Sequence, residues 1–222
     1  MDILSQILNN SSELTPNMQV FLLMTILMFL PTIIFMMTSF VRIIITFSFI
    51  KSALGAQQSI PNQILVGLAL CITMFIMSPV VDKITQNAIQ PYINKEITIE
   101  EAYTEAKKPV VEFLLKQTRD EDLELFLKNS SIDVKNLNKE DLPINVVVPA
   151  FAISELKTAF QIGFIIYIPF LVIDLIVAST LMSMGMFMLP PAMISLPFKL
   201  LLFVMVDGWN LLVKSLIESF LR

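Results

Sequence analysis

The sequence has no histidine and only one cysteine, Cys71. A single thiol cannot close an internal disulfide, and without histidine it makes a poor metal site. The missing histidine also removes the Ser/His and Cys/His pairings on which much nucleophilic catalysis rests. Glycine is scarce. The five residues Gly55, Gly67, Gly163, Gly185 and Gly208 are dispersed, so no phosphate-cradling G-x-x-x-x-G-K loop occurs. Charged residues make up only 15% of the chain, and no stripe of basic and aromatic residues suits nucleic acid. Neither an enzyme, a metal nor a cofactor is expected. Transport, gating and assembly remain.

What is present is apolar. Hydrophobic residues are 55% of the 222, and the mean hydropathy is +0.76. That is the composition of a polytopic membrane protein. The charges are gathered in one place: ten of the fifteen basic and fourteen of the nineteen acidic residues fall between Asp82 and Lys157. The fold class expected is all-α and membrane-associated, with two long apolar helical hairpins and a small, mostly helical soluble insertion between them. The domains read as a short polar segment (1–17), a first hairpin (18–81), an extracytoplasmic insertion (82–157) and a second hairpin (158–222). No Lys or Arg precedes Arg42, so the basic start of a secretory signal is missing. The chain reads as a mature form or as one with an uncleaved anchor.

Within the first hairpin, Met18–Phe40 is long enough to span, with a kink expected at Pro31. Ser11, Ser12 and Thr15-Pro16 are start signals before it. Gly55–Pro61 is a turn. Ile64–Val81 is a second candidate span, ended by Pro79 and Asp82. The insertion carries apolar residues at helical spacing over Glu100–Lys128, followed by a polar loop, Asn129–Asp141. Its Asp120-Glu121-Asp122 run reads as a solvated helix face. Arg42, Lys51 and Lys199 read as short-loop basic residues and place those loops on the cytoplasmic side.

Two features of the second hairpin carry chemistry. Asp174 sits in an apolar tract, where a carboxylate costs at least about 2.5 kcal/mol to insert. It requires a partner, with Lys199 in the next arm the candidate, or a wet pore that solvates it. A proton relay is a third reading, weakened by the lack of other titratable groups. The second feature is a helix break at Gly185, Pro190 and Pro191, around which Met182, Met184, Met186, Phe187 and Met188 cluster. Lipid cannot satisfy the backbone groups such a break frees, so the break is buried in protein or lines a cavity. Methionine is unbranched and repacks around irregular shapes. Joined, these suggest a deformable plug.

Three blocks of sequence resemble the FliP family. They are Thr38–Ile45 with Ser52–Gly55 and Pro61–Leu70; Pro149–Phe164; and Pro169–Trp209, including Leu196-Pro197-Phe198-Lys199 and Val206-Asp207-Gly208-Trp209. The resemblance implies a core channel-forming subunit of the flagellar type III protein export gate, related to injectisome export components. It implies a homo-oligomer, a pentamer, that forms a pore with FliQ and FliR for unfolded flagellar proteins. FlhB and FlhA belong to the full apparatus, in the bacterial inner membrane at the basal body. It also implies a methionine gasket at Met184, Met186, Phe187 and Met188, where Phe187 departs from a Met-Met-Met pattern, and an intersubunit ion pair between Asp174 and Lys199. The alternative function is a small-solute or ion transporter with a soluble lid. That reading calls for matching broken helices in both halves, and the sequence offers no second methionine break.

Overall fold

The computed structural model describes residues 16–56, 59–130 and 142–221. The start signals at Ser11, Ser12 and Thr15 and the polar loop 131–141 lie outside them. Among the described residues there are nine α-helices, one π-helical turn and no strand, so the chain is all-α. It divides into two compact units, 1–36 and 37–222. The first holds helix α1 (Pro16–Met36). Pro31 lies inside this helix, which displays Phe21, Met24 and Met28 outward.

The second unit contains everything else. Helix α2 (Phe40–Ala53) is followed by α3 (Asn62–Ile84), a π turn (Thr85–Ile89) and α4 (Gln90–Ile93). The π turn has a local cause. Pro91 has no N–H for the carbonyl four residues back, and just before it the Gln90 amide donates to Thr85, five residues back. Pro79 does not end its helix as the sequence suggested. Helical backbone continues from Asn62 to Ile93, 32 residues. The insertion then supplies α5 (Ile99–Gln117) and α6 (Asp120–Asn129). At the start of α5, Thr98 and Glu101 form a reciprocal capping box.

Helix α7 (Ile144–Ser183) runs for 40 residues, through Pro149 and Pro169. At 1.5 Å per residue it is about 60 Å long, roughly twice a hydrocarbon core of about 30 Å. Its two halves do different work. The first half, with Val146, Val147, Ala150 and Phe151, packs on Leu114 and Leu123 and completes the core of the insertion. The second half belongs to the apolar hairpin, so the expected boundary at 157/158 falls in mid-helix. Helices α8 (Pro191–Met205) and α9 (Gly208–Leu221) replace the single fourth tract and meet at 61°. Two segments, Asn62–Ile93 and Ile144–Ser183, are long and apolar enough to cross a membrane, or four if each bent pair makes one span. The chain is thus membrane-associated by construction.

The main core joins α2, α3, α7, α8 and α9 through Ile43, Phe47, Ile50, Ala69, Phe170, Phe203 and Leu216. Helix α2 lies closely on α7 because Gly163 leaves room for the Phe49 ring. A Cβ there would sit 2.9 Å from the Phe49 Cβ and closer still to its ring. Cys71 is exposed on α3, in a row with Met74 and Phe75.

The glycines therefore separate in a testable way. Gly163→Ala overpacks the α2–α7 contact and should cost roughly 1–3 kcal/mol, read as a lower melting temperature of the detergent-solubilised protein. Gly67→Ala, which meets nothing within 4 Å, should be neutral or stabilising by up to about 1 kcal/mol through helix propensity. Equal effects at both sites would contradict the packing described.

Candidate functional site: buried charge staples and a methionine break

Three charged clusters position the second hairpin. The first is built on Arg42 in the first turn of α2, which is 3% exposed. Its Nε donates to Glu155 Oε2 at 2.9 Å, and Nη2 donates to Oε1 of the same carboxylate. The fork is therefore bidentate. The remaining N–H groups reach Ser219 Oγ at 2.9 Å and Gln117 Oε1 at 3.2 Å. The Gln117 amide donates in turn to the Phe220 carbonyl, and the guanidinium stacks 3.8 Å from the Phe220 ring centroid. One side chain thus ties α2 to α5, α7 and α9. Sequence reasoning missed this role by reading Arg42 as a loop residue. Its partner Glu155 lies 113 residues away and had no assigned role. The only available signal was that a charge beside an apolar run needs a partner.

The second cluster seats α6 on α7. Asp122 is buried and accepts hydrogen bonds from Ser154 Oγ at 2.9 Å and from Lys157. The Arg119 amide donates to Ser154 Oγ as well. The acidic run is therefore not a uniformly solvated face, since its third member points inward. Burial alone would raise the Asp122 carboxyl. The hydrogen bonds from Lys157 and Ser154, with the charges of Lys157 and Arg119, outweigh burial and hold it below the usual carboxylate range.

The third cluster is the expected pair. Lys199 Nζ lies 2.6 Å from Asp174 Oδ2, with side chains 7% and 35% exposed. Nζ also donates to the Ala53 carbonyl at 3.0 Å, one of the open acceptors at the C-terminus of α2. Ser195 Oγ donates to Asp174 Oδ1 at 2.6 Å. The pair that the resemblance placed between subunits closes here within one chain. Helices α7 and α8 are joined by a seven-residue break (184–190), which brings Asp174 and Lys199 to the same height on facing arms. Lys199 and Arg42 both lie within helices and are buried in ion pairs, and Lys51 closes the last turn of α2. Their positions are explained by partners rather than by a loop-charge rule.

The break itself has a defined geometry. The Gly185 amide donates to Met182 and the Met186 amide to Leu181. Together these close α7 with a Schellman motif. Gly185 takes the left-handed φ of +71° that the motif needs. Pro190 is extended, and Pro191 opens α8, where a missing N–H has no cost. The side chains between them are presented outward: Met184 is 67%, Phe187 79% and Met188 96% exposed, and Met186 is 43% exposed. The structure thus brings all the break residues together and keeps them apart from the Asp174–Lys199 pair. Among the described residues no group of three or more His, Cys, Asp or Glu could hold a metal.

Long apolar helices, charged side chains buried in pairs and an exposed apolar break define a membrane-associated helical component. The model of the FliP family matches residues 23–216. The chain is 52% identical over 212 residues to the "Flagellar biosynthetic protein FliP" of Bacillus subtilis, covering 96% of each chain. To the proteins of that name from Pectobacterium carotovorum and Aquifex aeolicus it is 51% and 46% identical, covering 82% and 87% of their lengths and 96% and 94% of its own. The chain belongs to the FliP family, and so is a component of flagellar biosynthesis rather than an enzyme.

Two outcomes follow from the clusters. Glu155→Ala leaves Arg42 buried without its counter-ion and should cost about 3–5 kcal/mol. The double change Arg42→Met with Glu155→Met should recover most of that in chemical unfolding. A single Glu155→Ala variant as stable as the parent would contradict the staple. For Asp122, a depressed pKa in the folded state means that its stabilisation is present above the unfolded value of about 3.9. That stabilisation is lost as pH falls through the folded value. Melting between about pH 6 and pH 3 should show a smaller acid-induced drop for Asp122→Asn than for the parent, and an identical profile would contradict it.

Proposed function

We propose that the chain is the channel-forming core subunit of the flagellar type III protein export gate, located at the basal body in the bacterial inner membrane. In this reading it assembles as a homo-oligomer, a pentamer, and forms a pore with FliQ and FliR inside an apparatus that includes FlhB and FlhA. Unfolded flagellar proteins pass through that pore.

The observation that carries the reading is the methionine break. Large apolar side chains at Met184, Met186, Phe187 and Met188 stand exposed on irregular backbone between two apolar helices. Lipid does not tolerate such backbone. Repeated around one axis, the segment makes an apolar ring that excludes water and ions by dewetting. Thioethers yield around a passing chain, and the Phe187 ring adds bulk to the seal. A small-solute transporter with a soluble lid calls for two similar halves. The halves here differ, with a 14-residue α2 set against a 40-residue α7.

Replacing Met186, Phe187 and Met188 together with Ala should leave the helices folded, because these residues lie outside them. It should open a leak to small ions, measured as single-channel conductance in planar bilayers. An assembled triple variant as tight as the parent would place the seal elsewhere.

A further inference from the structure

The crook of the α8–α9 elbow holds a cavity of about 530 Å³, bounded by α7 on one side and by α8 and α9 on the other. Phe170, Phe203 and Leu212 form its buried floor, and Ile165, Leu211 and Ser215 stand exposed at its rim. Ser215 carries the only polar side chain in the lining. The cavity has a local cause. The 61° bend takes α9 away from the line of α8. Gly208 then lets the Phe203 ring lie against the start of α9, where a Cβ would overlap it. Folded interiors are otherwise close-packed. An apolar space of this size excludes water and takes apolar guests.

Size, place and charge say what fills it. An α-helix with its side chains is about 10–12 Å across, and each turn of it takes up roughly 400–600 Å³. The cavity thus admits about one turn of a helix from another chain, whereas a flexible alkyl chain threads it. Helix α7 and the α8–α9 pair are both candidate membrane spans, so in a bilayer the rim opens among acyl chains. The α9 residues on the cavity are Gly208, Leu211, Leu212 and Ser215, one face over two turns, about 10 Å long. At the Ser215 end stands Lys214, the one basic residue of α9, with its side chain 67% exposed. Its ion-pair partner Glu218 is 3.9 Å away and exposed as well, a pairing worth little. A hydroxyl and an available ammonium therefore mark one end of an otherwise apolar slot, and Trp209 follows Gly208 at the other.

We propose that this cavity binds one acyl chain of an anionic phospholipid, whose phosphate is held by the Lys214 ammonium and the Ser215 hydroxyl. The acyl chain lies along α9 toward Trp209. A lipid held this way props the elbow at its bend and completes the packing that the protein leaves open between α7 and α9. The site is independent of the gate reading.

Trp209 is the only tryptophan of the chain, and its ring meets the Phe203 floor edge to face at 5.4 Å, so its fluorescence reads the cavity. The full chain, purified in dodecyl maltoside, is titrated with phosphatidylglycerol brominated on its acyl chains, and separately with phosphatidylcholine brominated in the same way. Phosphatidylglycerol should quench Trp209 along a saturating curve. Phosphatidylcholine should need roughly tenfold more lipid for the same effect, the factor that one charged contact brings. Lys214→Gln should bring the two curves together, and because Lys214 is exposed this variant keeps the fold. Ile166→Phe fills the cavity and should leave only the linear quenching of lipid colliding with the surface. Leu201→Phe, outside the cavity, should behave as the parent. If Ile166→Phe does not fold, the Lys214→Gln comparison decides. Quenching that never saturates in the parent overturns the proposal, as do equal curves for the two lipids or saturable quenching that survives in a folded Ile166→Phe. A Trp209 shielded from brominated phosphatidylglycerol in the assembled chain but quenched on dilution to monomer assigns the cavity to a second copy, and overturns the lipid.

Discussion

The Arg42–Glu155 pair is the constraint on which the second unit depends. An arginine cannot shed its charge, and one 3% exposed stays buried only if every donor finds an acceptor. That demand fixes four helices at one point. The start of α2, the end of α5, the middle of α7 and the end of α9 must converge so that Glu155, Gln117, Ser219 and Phe220 reach one guanidinium. Apolar faces alone specify a register less sharply, because aliphatic cores of the right volume and pattern are tolerated with some loss of uniqueness. A forked, directional contact does not slide. The staple thus sets the register of long helices whose apolar faces leave it open.

With register set, the rest divides by function. The first half of α7 completes the core of the insertion and carries the Asp122 seat for α6. The second half projects to the methionine break. Rigid and yielding parts therefore share one 40-residue helix, and the break sits at its far end. In the function proposed, a soft seal needs such a support: side chains that deform close a pore only if the backbone bearing them returns to one place.

Much of this was legible in the sequence, for identifiable reasons. The apolar tracts announce themselves by length, and Gly185 with Pro190 and Pro191 marks a break because backbone chemistry there is local. The cost of an unpaired charge among apolar neighbours pointed to Lys199 as a partner for Asp174 and left a wet pore as the alternative; the structure shows the contact. What stayed hidden was non-local. Glu155 becomes the partner of Arg42 only once α2 and α7 lie side by side, and a charge 113 residues away gives no periodic signal. Asp122 hid inside an acidic run whose other members face water. Pro79 misled in the opposite direction, since a long helix absorbs a missing N–H that a local rule treats as a stop. The elbow at Val206–Asp207 carries no strong breaker ahead of it; Asp207 is left-handed there, and the Phe203 and Trp209 rings on either side of it meet edge to face at 5.4 Å.

The central claim is that one buried arginine couples four helices. Backbone hydrogen exchange of Arg42→Met, resolved by mass spectrometry on the intact chain, tests it most directly. The account predicts that protection falls together around Gln117 in α5, Ser154–Lys157 in α7 and Leu216–Phe220 in α9, three places remote in sequence. Loss of protection confined to the first turns of α2, with those three segments unchanged, would contradict it.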